Sequence, residues 1–426
     1  MRARAVLPEH DVIVVGGGPA GSSTAFALAR AGARVLLLDR AQFPRSKPCA
    51  EYLSPQASRL LHDMGVLDLV ESAGAAHLAG MTVRAPNGAL IRGDFAASHG
   101  FPAFRDRGLA LRRTKLDPIL LQRAREVGAE VRERVRVTDV LRDASGRAVG
   151  VRVLDAHGTS SELHARLVVG ADGLRSVVSS RLGLARRRRW PKRLALVAHF
   201  ESFGDVGAWG EMHVERGVGY VGLAAVDSGL TNVAMVVPAS AAREVSADRN
   251  AFFDRWLRDR PQLAPRVAGA RRVTPVMATG PFASHARRAW APGAALVGDA
   301  ADFFDPFTGE GIYVALRGGE LLAPFALRAL GAEHTRDMDD ALAAYDRARC
   351  DEFRGKWMVE RLIGSAVGFA PAINHFARVL SARKDMADLL VGVTGDFVPA
   401  AEVLRAGYLL NLFRRPAPSS PSAPEA

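Results

Sequence analysis

Cysteine is almost missing from this chain: Cys49 and Cys350 are the only two in 426 residues. Two cysteines so far apart exclude a disulfide framework and a cysteine-rich zinc site, and they fit a reducing compartment. No metal site is expected. Lysine is nearly as scarce, with Lys47, Lys115, Lys192, Lys356 and Lys384 as the whole set; every other basic residue is arginine. No stretch reaches the roughly 18 uninterrupted apolar residues of a membrane span. Met1 to His10 carries no apolar core of a secretion signal, so a soluble, cytoplasmic protein is expected. There is no internal repeat of fixed period and no nucleic-acid recognition fold, so a nucleic-acid partner is discounted.

What remains is globular in proportion: 48% apolar and 24% charged residues exclude global disorder. The length allows two or three domains. Lys plus Arg is 57 and Asp plus Glu is 45, a net charge of +12. The arginine- and alanine-rich composition is that of a GC-rich genome, so the charge needs no ligand behind it; an anionic cofactor or an acidic membrane is the functional alternative. The run Arg186 to Arg189 before Trp190-Pro191 is read as a solvated loop, with a 2′-phosphate or an anionic surface as the other reading. The Pro-, Ser- and Ala-rich segment from Arg414 to Ala426 reads as a disordered tail.

The chemistry begins at residue 11. Asp11 to Val15 is a short apolar run rich in β-branched residues, Gly16-Gly-Gly-Pro-Ala-Gly21 follows, and Ser22 to Ala31 has the small and apolar composition of a packed helix. Arg34 to Asp39 is a second buried strand that ends in an acid. Strand, glycine turn, helix, strand and acid is the order a dinucleotide requires. Gly16 makes the tight turn, Gly18 admits a pyrophosphate, and Gly21 permits close packing. The helix N-terminus then faces the phosphates. Asp39, 23 residues after Gly16, is spaced to accept from a ribose hydroxyl. Gly217-Val-Gly219-Tyr-Val-Gly222 spells the same pattern but has strand-like residues on both sides and no helix after it, so it reads as a strand beside a ligand.

Two later segments narrow the nucleotide. Leu167-Val-Val-Gly-Ala-Asp172-Gly173-Leu-Arg-Ser176 and Ala294-Ala-Leu-Val-Gly298-Asp299-Ala300 both read as a strand ending in an acid. With the opening motif, in this order and spacing, the sequence resembles the single-component FAD-dependent aromatic hydroxylases and the geranylgeranyl reductases over about residues 10 to 320. Phe43-Pro-Arg45-Ser-Lys47-Pro-Cys49 and Asp305-Pro306-Phe307-Thr308-Gly309-Glu310-Gly311-Ile312 are similar to segments of the geranylgeranyl reductases and flavin halogenases.

The resemblance implies an α/β fold: a Rossmann-like FAD-binding domain as in aromatic hydroxylases, a mixed β-sheet substrate domain and a helical C-terminal region. The FAD domain would be discontinuous, 1–77, 108–190 and 279–330. Segments 78–107 and 191–278 would form the sheet covering the flavin, 331–412 the helical region and 413–426 the tail. Gly16, Gly18, Pro19, Ala20 and Gly21 would cradle the pyrophosphate, with Asp39 and Arg40 at the adenosine end. Lys47, Cys49, Arg113, Asp172, Gly173, Gly298 and Asp299 would contact FAD; Asp299 reads equally as a helix cap, and Cys49 as a small buried residue. Pro306, Gly309, Gly311 and Ile312 would put the N-terminus of a helix from Ile312 to Leu322 beside the flavin pyrimidine, with Phe307 and Thr308 lining the ring.

Glu310 and Glu51 are the acids expected nearest the chemistry, and His213, two residues from Glu211 on one strand face, is a further candidate. His199 and Tyr220 lie in the same covering sheet. The aromatic strand motif of prenyl reductases is missing at Gly219 to Val226, and no halogenase tryptophan motif occurs. The expected activity is therefore that of an FAD oxidoreductase using NADPH or NADH, hydroxylating a lipophilic aromatic or polyketide-type molecule with O2. Reduction of an isoprenoid or other alkene is the alternative, and a non-catalytic flavin-binding partner protein a further one. Leu362 to Leu380 and Leu389 to Leu412, apolar with basic ends, are expected to pack on the FAD domain; peripheral membrane contact through them is the other reading.

Overall fold

The computed structural model describes residues 9–96, 100–187, 192–217, 219–227, 229–282 and 284–414. Arg188, Arg189, Trp190, Pro191, Val218 and the tail after Arg414 lie outside the described residues.

The strand His10–Val15 sits in the middle of a sheet, parallel to Ser160–Gly170 on one side and Val35–Leu38 on the other. Ala294–Leu296 extends it beyond Ser160–Gly170, and Glu130–Arg132 beyond Val35–Leu38. Val12, Ile13, Val14 and all of Val35 to Leu38 are essentially fully buried, which is why these strands are uninterrupted apolar runs. The glycine turn, Asp172 and Asp299 follow parallel neighbouring strands, so three stretches more than 100 residues apart meet at one end of the sheet.

The helix Pro19–Arg30 begins with proline in its first turn, where a missing N–H costs nothing. Its small residues serve a close contact with the helix Gly311–Gly331: a Cβ on Gly319 would lie 2.2 Å from Ser23 Oγ. The helix Gly311–Gly331 is longer than the expected Ile312 to Leu322.

A second sheet runs in the order Arg271–Arg272, Arg193–Glu201, Leu230–Pro238, Gly219–Val226, Trp209–Glu215, Gly80–Arg84, Leu90–Asp94. Gly80–Arg84 joins it parallel to Trp209–Glu215, so the early segment and the middle of the chain build one surface. Gly219–Val226 is a strand, as its flanks require; a Cβ on Gly219 would fall 1.9 Å from Val236 O.

The sheet's outer face carries helices that the strand-like pattern concealed. Phe253, Trp256 and Leu257 of the helix Arg249–Arg258 pack on Leu196, Val221 and Val233. Asp248 starts that helix by accepting from Asn250 N and Ala251 N, both at 3.0 Å. The inner face, with Ala195, Met212, Tyr220 and Val236, turns toward the first sheet and the C-terminal helices.

The helix Thr335–Val367, 33 residues and roughly 50 Å long, ties the two layers together. Tyr345 Oη donates to Leu296 O at 2.8 Å in the first sheet, and Gly364 O accepts from Arg193 Nη2 at 3.3 Å in the second. Ala370–Ser381 and Lys384–Thr394 then lie on the edge strand Leu90–Asp94, where Asp94 N donates to Asp388 at 2.8 Å. The C-terminal region therefore packs on both layers, but its segments after residue 367 lie on the second sheet rather than on the FAD domain expected for them. No helix among the described residues is long and apolar enough to cross a membrane.

Candidate functional site

A cavity of about 360 Å³ opens between the two sheets, with Gly18, Pro19 and Ala20 at one end and Ala195, Val197, Met212, Ala234 and Val236 at the other. The three motif glycines have three different environments. Gly16 has φ +105°, and a Cβ there would lie 2.5 Å from Ala171 O. A Cβ on Gly21 would lie 1.7 Å from Gly16 O, so the helix start and the turn interlock. A Cβ on Gly18 meets only the tips of Arg45 and Arg113, at 3.4 and 3.6 Å; its open side is the cavity.

Asp39 is buried and braces the turn: Oδ2 accepts from Gly17 N and Oδ1 from Ala41 N, both at 2.7 Å. Arg40 beside it is exposed and off the cavity wall.

The phosphate end is cationic. Arg113, buried, makes a two-pronged pair with Asp117 at 2.6 and 2.8 Å, and Arg45 reaches the same carboxylate at 3.2 Å. Lys47 lies on the cavity wall, where burial and the adjacent Arg113 guanidinium lower its pKa. Asp299 is also on that wall; burial raises its pKa, opposed by Lys47 and Arg113. It lies inside the short helical turn Gly298–Ala300, whose N-cap position is Val297 rather than Asp299. Burial likewise raises the pKa of Asp172, whose Oδ2 accepts from Val177 N at 2.6 Å; Gly173 follows with φ +78°.

A glycine-walled opening flanked by three cations and backed by a braced carboxylate fits the diphosphate and ribose of FAD. Gly18, Arg45, Lys47 and Arg113 would hold the diphosphate, Asp39 and Asp299 the sugars. Arg45 stands in the Phe43–Cys49 segment, yet only the fold reveals it as a partner of Asp117.

At the other end Gly309, Glu310, Gly311 and Ile312 line the cavity, with Pro306 and Thr308. Asp305 organises this loop: it accepts from Phe307 N at 3.1 Å and Tyr220 Oη at 2.5 Å, and it pairs with Arg193 at 2.7 Å. Phe307 does not line the main cavity; it packs edge-on against Tyr220, with ring centroids 4.9 Å apart. Gly222, the last glycine of the false motif, does line it.

Glu51 is almost fully buried with φ 63°. Its carboxylate meets Arg113 N at 2.9 Å, His199 Nε2 at 2.7 Å and Asn232 Nδ2 at 3.0 Å. Those contacts fasten the Lys47–Glu51 segment to the covering sheet and engage both oxygens. Cys49 Sγ accepts from Glu51 N at 3.3 Å, and burial raises its thiol pKa, so it stays protonated.

Glu310 is different. It is buried, and Lys356 Nζ donates to Oε2 at 3.3 Å. Lys356 also pairs closely with the buried Asp396. Burial raises the pKa of Glu310 well above the carboxylate range, and Asp396 and Glu360 add to the rise. Glu360, on the cavity wall one turn beyond Lys356, is pushed up to about 7, mainly by burial. One cation thus faces three acids, and burial raises the pKa of all three. Nothing in the sequence around Lys356, Glu360 or Asp396 marked them; a chain reversal of some 40 residues brings them to the flavin loop.

His213 is a correction. Met212 points into the cavity, so its neighbour His213 points to the opposite face of the strand, where it pairs with Glu211 at 2.8 Å. Glu211 is held in turn by Arg266 at 2.7 and 2.9 Å, and its pKa drops to about 2 as these partners outweigh burial. The pair shares a face as expected, but that face is away from the site.

Residues 9–350 match the family described as FAD binding domain. The chain is 30% identical to digeranylgeranylglycerophospholipid reductase 2 of Methanopyrus kandleri, over 92% of this chain and 94% of that one. It is 31% identical to the menaquinone reductase of Mycolicibacterium smegmatis, over 74% and 75% of the two chains. Among solved structures a myxobacterial chondrochloren halogenase aligns with TM-score 0.75 and 29% identity, over 82% of each chain. The glycine cradle, its cations and these relatives agree: the chain belongs to the FAD-binding-domain family and is an FAD-dependent oxidoreductase of the superfamily that includes the geranylgeranyl reductases.

Proposed function

We propose that this enzyme uses NADPH or NADH to reduce its FAD and then saturates a carbon–carbon double bond of a lipophilic small molecule. The observation that carries the reading is Glu310: a carboxyl held neutral by burial, on the wall of an apolar cavity, beside the loop that leads into Gly311–Gly331. FAD, when bound and reduced by NAD(P)H, would supply a hydride to one alkene carbon. The chain must supply a proton to the other. Glu310 Oε2 is engaged by Lys356, which leaves Oε1 to carry that proton. The net reaction consumes one NAD(P)H and one proton and yields NAD(P)+ and a saturated bond. Ala195, Val197, Ala234 and Val236 exclude water from the reacting carbons. The resemblance over nearly the full chain to a reductase named for a geranylgeranyl lipid supports the same class.

Hydroxylation by O2 is the second reading. It is favoured by the small residues of the covering strands, Ala195, Gly222 and Ala234, which leave a flat space for an aromatic or polyketide ring. The test is product mass. With NADPH, no oxygen and a geranylgeranyl lipid that carries no quinone as probe, reduction predicts a product two mass units heavier for each bond saturated. An aromatic product that gains label from labelled O2, with no anaerobic product, overturns reduction in favour of hydroxylation.

A further inference from the structure

The outer side of the C-terminal helices carries what a water-facing surface normally avoids. Five of the eight large exposed apolar side chains among the described residues lie there: Met358 (48% exposed), Leu362 (51%), Phe369 (61%), Leu410 (64%) and Phe413 (67%). The other three, Leu69, Leu90 and Phe104, are scattered. Met358 and Leu362, four residues apart, share one face near the end of Thr335–Val367, and Phe369 lies two residues past that end, where the next helix begins.

The helix Ala406–Phe413, Ala-Gly-Tyr-Leu-Leu-Asn-Leu-Phe, is apolar almost all round and has no buried residue. An apolar helix that protein does not bury needs another apolar environment. It is held in place: Tyr408 Oη donates to Met386 O at 3.0 Å, His375 Nε2 meets Leu412 O at 3.1 Å, and Phe413 packs edge-on against Phe376.

Charge identifies the cover. Arg361, Arg378 and Arg414 are exposed in this region and make no ion pair among the described residues, whereas Arg354 and Arg405 are neutralised by Asp351 and Glu402. Unpaired arginines beside exposed Leu and Phe match an anionic headgroup layer over acyl chains. That face also adjoins the cavity: Trp357, Glu360 and Arg361 line the cavity from the same helical turns that expose Met358 and Leu362.

We infer that this face docks on an anionic lipid bilayer, with Leu410, Phe413, Phe369, Leu362 and Met358 entering the acyl boundary and Arg361, Arg378 and Arg414 on the headgroups. Docking sets the rim of the cavity against the membrane, so a lipophilic substrate passes from bilayer to site without crossing water. The inference goes beyond the proposed reaction and stands whichever reaction the flavin performs.

The test is sedimentation of the full-length, flavin-loaded protein with phosphatidylcholine vesicles, with and without phosphatidylglycerol, alongside light scattering for oligomeric state. Binding to phosphatidylglycerol vesicles is expected, weaker by about tenfold on phosphatidylcholine alone. The double variant Leu410→Ser, Phe413→Ser should lose about tenfold or more in binding while keeping its flavin absorbance. Arg378→Glu with Arg414→Glu should remove the preference for phosphatidylglycerol. The proposal is overturned if wild-type protein stays in the supernatant, if the serine variant binds equally, or if the same substitutions instead dissociate a dimer.

Discussion

The two ends of the cavity are built on different principles. At the nucleotide end charged groups are matched to partners: Asp39 accepts two backbone N–H groups, and Arg113 and Arg45 share Asp117. At the other end Lys356 serves Glu310 and Asp396 with Glu360 nearby, and burial raises the pKa of all three acids. A charge that must be held for the life of the protein is matched group by group. A proton that must move is kept where there are more acids than cations. The comparison teaches that binding and chemistry can be altered separately.

The largest effect that separates the ends should come from Gly18→Val. Its side chain enters the cavity and displaces the diphosphate, so purified protein should be colourless, while apoprotein melting stays within about 2 °C of wild-type apoprotein. Gly21→Val sharpens the point: it drives a side chain into Gly16 O and should cost on the order of 4 kcal/mol, unfolding the protein rather than only emptying it. Melting curves of both apoproteins distinguish the two.

Glu310→Gln should do the reverse of Gly18→Val. The amide keeps the shape and removes the proton donor, so FAD should be retained and turnover should fall by about 100-fold. Flavin absorbance and steady-state rates check this; unchanged turnover would remove Glu310 from the chemistry.

Glu360→Gln is a smaller test, read through stability. The folded pKa of about 7 lies above the ordinary value of 4.5, so between these pH values the folded state holds more of the proton than the unfolded state. Wild-type stability should therefore fall as pH rises from about 4.5 to about 7 and level off above, by up to about 3 kcal/mol from this one group. The variant should lose that part of the slope in melts at pH 5 and pH 8. The smallest effect belongs to His213→Gln: on the far face of the sheet, it should leave kcat and KM within about twofold.

The nucleotide end was legible because its determinants are local. Gly16, Gly18 and Gly21 lie within six residues, and a buried parallel strand and a small-residue helix each announce themselves in composition. The covering sheet was legible as strands, but the helix Arg249–Arg258 inside that region was not, since Phe252, Phe253 and Trp256 have the aromatic richness of a strand. His213 and Glu211 were correctly placed on one face; which face required the register of Trp209–Glu215 against its neighbours. The Glu310 cluster was half legible. Glu310 stands in a recognisable loop, but Lys356 and Asp396 come from a helix and a turn whose sequences resemble any amphipathic segment. Asp305 had a local signal, an acid before proline at a turn, and that signal gives its backbone contact with Phe307 while Arg193 and Tyr220 emerge only from the assembled layers.

The central claim is that the cradle holds an FAD that takes hydride from a nicotinamide nucleotide and passes it into the cavity. The direct test is to add NADPH, and separately NADH, to the purified protein under nitrogen while following the visible flavin band. Bleaching by either nucleotide, reversed on adding a lipophilic acceptor, is the predicted result. A flavin that stays oxidised with both nucleotides, with and without a lipophilic acceptor, would contradict it.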